Sequence, residues 1–115
     1  MKPPLSADDY LAKLSPPFQD LMSHLRTLII TEFPSVKERV MQEGLWYERP
    51  QGVFYLAKIG DHINLGVSIK GLSQDQIELF EGTGKTQRHL KNFPGKEIND
   101  AEILQKLQIV WDHAT

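Results

Sequence analysis

Apolar residues recur with two different periods along this chain. Between Pro16 and Phe33 they fall at Phe18, Leu21, Met22, Leu25, Leu28, Ile29 and Phe33. That three-and-four spacing lays one wide stripe along a helix, which Pro34 then stops. Ile103, Leu104, Leu107, Val110 and Trp111 repeat the spacing over residues 100–113. Val53 to Ile59 and His62 to Ile69 read instead as strands, joined by Gly60-Asp61, a Gly-X pair suited to a two-residue hairpin turn. Such a turn fixes the register. Ile59 faces His62, Ala57 faces Asn64, Tyr55 faces Gly66 and Val53 faces Ser68. The other face then carries Phe54, Leu56, Ile63, Leu65 and Val67, all apolar, and is the side expected to pack on helices.

Three helix starts carry a capping box, in which two side chains satisfy backbone N–H groups that the first turn leaves free. They are Ser6 with Asp9, Ser73 with Gln76 and Asn99 with Glu102. Apolar pairs bracket each: Leu5 with Tyr10, Leu72 with Ile77, Ile98 with Ile103. The helices expected from these signals are 7–14, a longer one opened by Ser15-Pro16-Pro17, 74–80 and 100–113. Val36 to Gln42 reads as a weaker strand and Arg88 to Phe93 as the fourth. Trp46-Tyr47-Glu48-Arg49-Pro50 reads as a loop whose aromatics either tuck over the core or face a partner. The element order predicts one α+β domain over 1–115, a mostly antiparallel four-stranded sheet with helices packed on one face.

Charge narrows the partners. Thirteen basic and fifteen acidic side chains leave a net charge of −2. This balance argues against a generic nucleic-acid binder and makes any anion site local. The absence of cysteine removes disulfides, thiol catalysis and thiolate metal sites. No run resembles a signal peptide or the ~20 apolar residues of a membrane span, so a cytoplasmic location is expected.

The candidate chemistry gathers on the mixed sheet face. With Leu90 facing the core, His89 and Lys91 join Tyr55 and Asn64 on that side. Gly82-Thr83-Gly84-Lys85-Thr86 resembles the end of a phosphate loop. Leu79 stands where the first glycine is required, however, and a strand follows instead of a helix. The segment reads as a tight turn with positive φ at Gly82, Gly84 or both. Beside it lie Lys85, Arg88, His89 and Lys91, which read either as a solvated strand edge protected by its charges or, with the turn N–H groups, as an anion site. His24, His62, His89 and His113 lack metal-ligand spacing, and the carboxylates are scattered, so no cofactor is expected from the residues themselves. No Gly-x-Ser-x-Gly elbow is present, Ser68 falling one position out, and no catalytic constellation stands out.

Leu65-Gly66-Val67 with Lys70-Gly71, Leu79 to Lys85, and Arg88-His89-Leu90-Lys91 together resemble the YdhG-like domain family. The resemblance extends to Asp9-Tyr10-Leu11 and the last helix. It implies a compact α+β fold with a mostly antiparallel sheet. One branch of the family is described as frataxin-like, an intracellular iron chaperone, and so implies Fe(II) binding through carboxylates and histidines, lost on neutralising acidic residues near Glu38 and Glu43. The Trp46 to Pro50 segment departs from the family's tryptophan-glycine-x-proline pattern. Three functions follow as expectations. The first is a non-catalytic domain binding a small anionic ligand or acidic partner through Lys85, Arg88, His89, Lys91, Tyr55, Asn64, Gly82 and Gly84. The others are an iron chaperone and a small enzyme with a site of its own.

Overall fold

Two of the three expected capping boxes form in full, and the third forms by half. In a computed structural model, which describes residues 6–41 and 44–113, Ser6 opens helix α1 (Ala7–Ala12) and Ser73 opens α3 (Gln74–Ile77). Both carry complete, reciprocal capping boxes. At the third start the Asn99 side chain accepts from the Glu102 N–H at 3.0 Å, while the Glu102 carboxylate pairs forward with Lys106 at 3.2 Å. Helix α1 stops two residues before Leu14, and α3 three before Phe80. Leu5, one half of the first apolar bracket, lies outside the described residues. Prolines in the first turn open α2 (Pro16–Glu32), and α4 spans Asp100–His113.

The described strands are β1 (Lys37–Met41), β2 (Gly44–Glu48), β3 (Gly52–Ile59), β4 (His62–Ser68) and β5 (Gln87–Asn92). They form one meander in the order β1-β2-β3-β4-β5, every neighbour antiparallel. The sheet therefore has five strands, not four. The extra one is β2, built from residues read above as a loop. Leu45 and Tyr47 point inward and are fully buried, whereas Trp46 and Glu48 point outward and are half-buried. The expected hairpin register holds at Ile59–His62, Ala57–Asn64 and Tyr55–Gly66. Gly60 supplies the positive φ of that turn, at 59°.

One face of the sheet is sealed. Met22, Leu25 and Ile29 of α2 and Leu107 of α4 are fully buried together with Leu56, Ile63 and Leu65. Burying each such side chain contributes about 1.5–3 kcal/mol. At one end Phe33 packs on Phe54 and Trp111, with ring centres 5.4 and 4.7 Å apart. The Arg49 guanidinium lies 4.2 Å above the Trp111 ring and donates to the Trp111 carbonyl at 2.8 Å.

A partly buried polar cluster ties α2 to the sheet. The Tyr47 hydroxyl donates to Glu38 Oε2 at 2.7 Å. Arg26 grips the same carboxylate with two N–H groups, at 2.8 and 2.9 Å. Burial alone would raise the Glu38 carboxyl. The hydrogen bonds from Arg26 and Tyr47 outweigh it and hold the group below its ordinary value. The Tyr47 phenol is pushed up by burial first and by its carboxylate partner second.

Candidate ligand site on the open sheet face

Antiparallel partners share a face, so the strand pairing places each candidate. One row crosses the whole sheet on the side away from the helices: Arg39–Trp46–Tyr55–Gly66–His89. The next row along the strands is Met41–Gly44–Ala57–Asn64–Lys91.

Two glycines let the aromatics of the first row lie down. A Cβ at Gly66 would stand 1.8 Å from the Tyr55 ring, and one at Gly52 would stand 2.3 Å from the Trp46 indole. Each ring thus occupies the space of an absent side chain. The two rings stack within 9° of parallel, their centres 5.9 Å apart. Burial pushes the Tyr55 phenol up. In the second row, Gly44 and Ala57 are small and buried. The rows enclose a depression of about 320 Å³, walled by Trp46 and Tyr55, rimmed by the exposed Met41 and Ile59, and reaching Asn64. Asn64 Oδ1 is closed off from solvent yet accepts no hydrogen bond among the described residues.

Beyond β5 the chain folds back along its edge. Glu81 and His89 exchange both backbone hydrogen bonds, at 2.8 and 3.1 Å, and the Glu81 carboxylate accepts from the Lys91 N–H at 3.1 Å. This covers a strand edge that would otherwise be free to pair with another chain. The fold-back sets Gly82, at φ 106°, against His89, whose ring would lie 3.1 Å from a Cβ there. Gly84 has no positive φ, but its turn is so tight that a Cβ would meet the Gln87 carbonyl at 2.2 Å. The turn is therefore glycine-dependent at both positions, for two different reasons. Gly82, Thr83, Gly84 and Lys85 donate no backbone hydrogen bond to a protein acceptor among the described residues.

No protein-family model and no curated protein matches the chain. Among solved structures, a DUF1801-family protein, YdhG from Bacillus subtilis, superposes with a TM-score of 0.65. The match covers 91% of this chain and 86% of that one, at 12% sequence identity. The chain has the YdhG fold. At this identity the likeness is one of architecture, and it bears out the α+β fold that the sequence resemblance implied.

On the YdhG fold the expected residues separate into two groups. Tyr55 and His89 flank Gly66, and Asn64 pairs with Lys91, so these four share the open face. Gly82 adjoins them through His89, and the exposed Lys85 follows on the turn. Arg88 does not join them. It pairs with the buried Val67, which puts it on the helix-bearing side, and its Nε donates to the Gly84 carbonyl at 3.2 Å. Its alternation partner Leu90 decides this: one residue between them is the period of a strand.

The structure adds Trp46, which the loop reading had removed from the sheet. The available signal was the alternation Leu45-Trp46-Tyr47-Glu48. His62 and His89 both sit on the open face but four residues apart in register, roughly 13 Å along the strand. His62 packs on Phe93 instead, with ring centres 5.4 Å apart. Among the described residues no group of three or more His, Asp or Glu is arranged to hold a metal ion. Glu38 is committed to Arg26 and Tyr47, and Glu43 lies outside the described residues. No helix among the described residues is long and apolar enough to cross a membrane.

Proposed function

We propose that this domain is a non-catalytic binding module whose open sheet face holds a small anionic ligand. The observation that carries this reading is the continuous row Trp46–Tyr55–Gly66–His89, with Lys91 beside it and the glycine turn at its end. The aromatics give a flat, partly dehydrated wall. Lys91 and Lys85 supply exposed positive charge, and the N–H groups of Gly82 to Lys85 point to no protein acceptor among the described residues. Donors of this kind, next to cations, favour a carboxylate or phosphate.

The reading is tested by following backbone amide shifts while inorganic phosphate, citrate and small organic phosphates are titrated. Shifts are expected at Gly66, His89, Lys91 and Gly82 to Lys85. The double variant Lys85→Ala/Lys91→Ala should weaken binding by roughly five- to twentyfold, since each exposed pair contributes up to about 1 kcal/mol. Unchanged affinity in that variant, or shifts confined to other surfaces, overturns the proposal.

A further inference from the structure

The depression on the open face is chemically unlike the charged turn beside it. Met41, Trp46, Tyr55, Ala57 and Ile59 give it an apolar wall and floor, and Asn64 and Gln87 are its polar lining residues. No charged side chain of a described residue lines it. A bare phosphate or carboxylate that entered would lose water and meet no cation, so it gains nothing by going in. Met41 and Ile59, at 46% and 45%, are nonetheless the most exposed large apolar side chains among the described residues. Both stand at the rim, where covering them takes apolar surface out of water. Hollow and rim together favour an occupant with an apolar body.

Positive charge begins where this lining ends. Lys91 pairs with Asn64 across β4 and β5 and shares its face. Partners in such a pair stand about 4.5–5.5 Å apart, so an ammonium on a flexible four-carbon stem is within reach of the edge of the hollow. Lys91 is exposed and its ammonium forms no ion pair with a described residue. An occupant that fills the hollow and ends at Lys91 is apolar along its length and negative at one end. The volume, about 320 Å³, is at the small end of ligand pockets. A second copy laid face to face would set one hollow against another and leave both unfilled. A flat bilayer surface would leave the same void, with its lining short of contacts.

We infer that the ligand is a small amphiphilic acid, its apolar body in the hollow between Trp46, Tyr55, Met41 and Ile59 and its anionic end at Lys91. This rests on the anion-site reading and names the class of molecule that the site takes. The test is a series of straight-chain carboxylates from acetate to hexanoate, with hexanamide as the uncharged control and inorganic phosphate as the bare anion. Each is titrated while amide shifts and tryptophan fluorescence are followed. Full burial of a methylene is worth about fourfold in affinity, and a half-open hollow about twofold. Hexanoate, four methylenes longer, is therefore expected to bind at least about fifteenfold tighter than acetate. Met41→Ser/Ile59→Ser, at two exposed positions, should remove most of that gain and leave acetate and phosphate unchanged. Lys91→Ala should weaken hexanoate up to about fivefold and hexanamide not at all.

Equal affinity for acetate and hexanoate overturns the apolar body while the anion site stands. Hexanamide binding as tightly as hexanoate, with Lys91→Ala without effect, overturns the amphiphile. Shifts from phosphate at Lys91 and the glycine turn then decide the anion site separately. A dimer in sedimentation that Met41→Ser/Ile59→Ser dissociates, or anionic phospholipid vesicles that bind this face where hexanoate does not, overturns the choice of a small ligand. Absence of any shift on this face, for every compound, overturns both readings together.

Discussion

Glu38→Gln is the substitution that most directly tests how this fold is held. It keeps shape and volume while removing the charge on which three hydrogen bonds converge, those from Arg26 Nε, Arg26 Nη2 and the Tyr47 hydroxyl. A glutamine can keep one acceptor, but its amide N–H₂ then faces an Arg26 donor. Each hydrogen bond to a charged group contributes about 1.5–3 kcal/mol. Arg26 retains a route to water, its side chain being 29% exposed, which discounts its share. Tyr47 is completely buried and has no such route. The expected loss is about 2–3 kcal/mol, or roughly 8–12 °C in Tm for a chain of this length. Tyr47→Phe, which removes one hydroxyl without altering the packing, should cost about 1.5–2 kcal/mol. The double variant should fall short of the sum, because both changes break the same bond.

The sign of the pH dependence follows from the depressed Glu38 carboxyl. Its folded value lies below the ordinary 4.5, so its contribution is present above that pH and is lost as pH falls through the folded value. The stability gap between the natural chain and Glu38→Gln should therefore be widest at pH 7 and should narrow below about pH 4.5. Urea unfolding at pH 7, 5 and 3.5 measures it. A gap under ~0.5 kcal/mol at pH 7, or one that stays constant down to pH 3.5, would refute the reasoning.

Three further outcomes separate the glycines by mechanism. A Cβ at Gly44 would stand 1.8 Å from the Leu56 carbonyl oxygen, which is backbone and cannot step aside, whereas at Gly60 the space is empty and only the φ of 59° resists. Gly44→Ala should therefore abolish folding or cost over ~3 kcal/mol, and Gly60→Ala about 1–2 kcal/mol, both read by thermal melts. Gly66→Ala should lift Tyr55 off the sheet and cost about 1–2 kcal/mol, with loss of the near-ultraviolet circular dichroism of the Trp46–Tyr55 pair. Restoration of stability in Gly66→Ala/Tyr55→Leu would confirm that the ring alone is displaced.

Sequence reasoning read the local signals well and the sheet edge poorly. Caps, prolines and the Gly60-Asp61 turn act through neighbours a few residues away, so their consequences are written locally. From that one turn the register of β3 and β4 followed, and with it the face shared by Tyr55 and Asn64; the alternation about Leu90 added His89 and Lys91. Strand β2 was hidden because its inward residues number only two, Leu45 and Tyr47, and Pro50 lies close behind. Its partner β1 carries Glu38 on the inward side, a charge that reads as surface until Arg26, twelve residues earlier, is brought against it. Arg88 was misplaced for a different reason. It was grouped with Lys85 and Lys91 by charge, although the alternation that sent Leu90 inward sends Arg88 to the same side.

Whether the open face is a site or merely a well-covered sheet turns on what each account leaves over. Aromatics laid over glycines shield weak points in a strand, and that alone explains why Tyr55 lies on Gly66 and Trp46 on Gly52. A covering role does not require the two rings to stack within 9° of each other, nor small buried residues beside them. Above all it gives no reason for an asparagine at position 64. A threonine or valine there would suit a strand better and would leave no orphaned amide. A purely structural Asn64 should thus be replaceable by valine or threonine with a gain in stability, and with no change in any ligand the face takes. An asparagine kept for binding should show the same gain in stability coupled to weaker binding. That inverse relation between stability and affinity at a single position distinguishes a site from a covering.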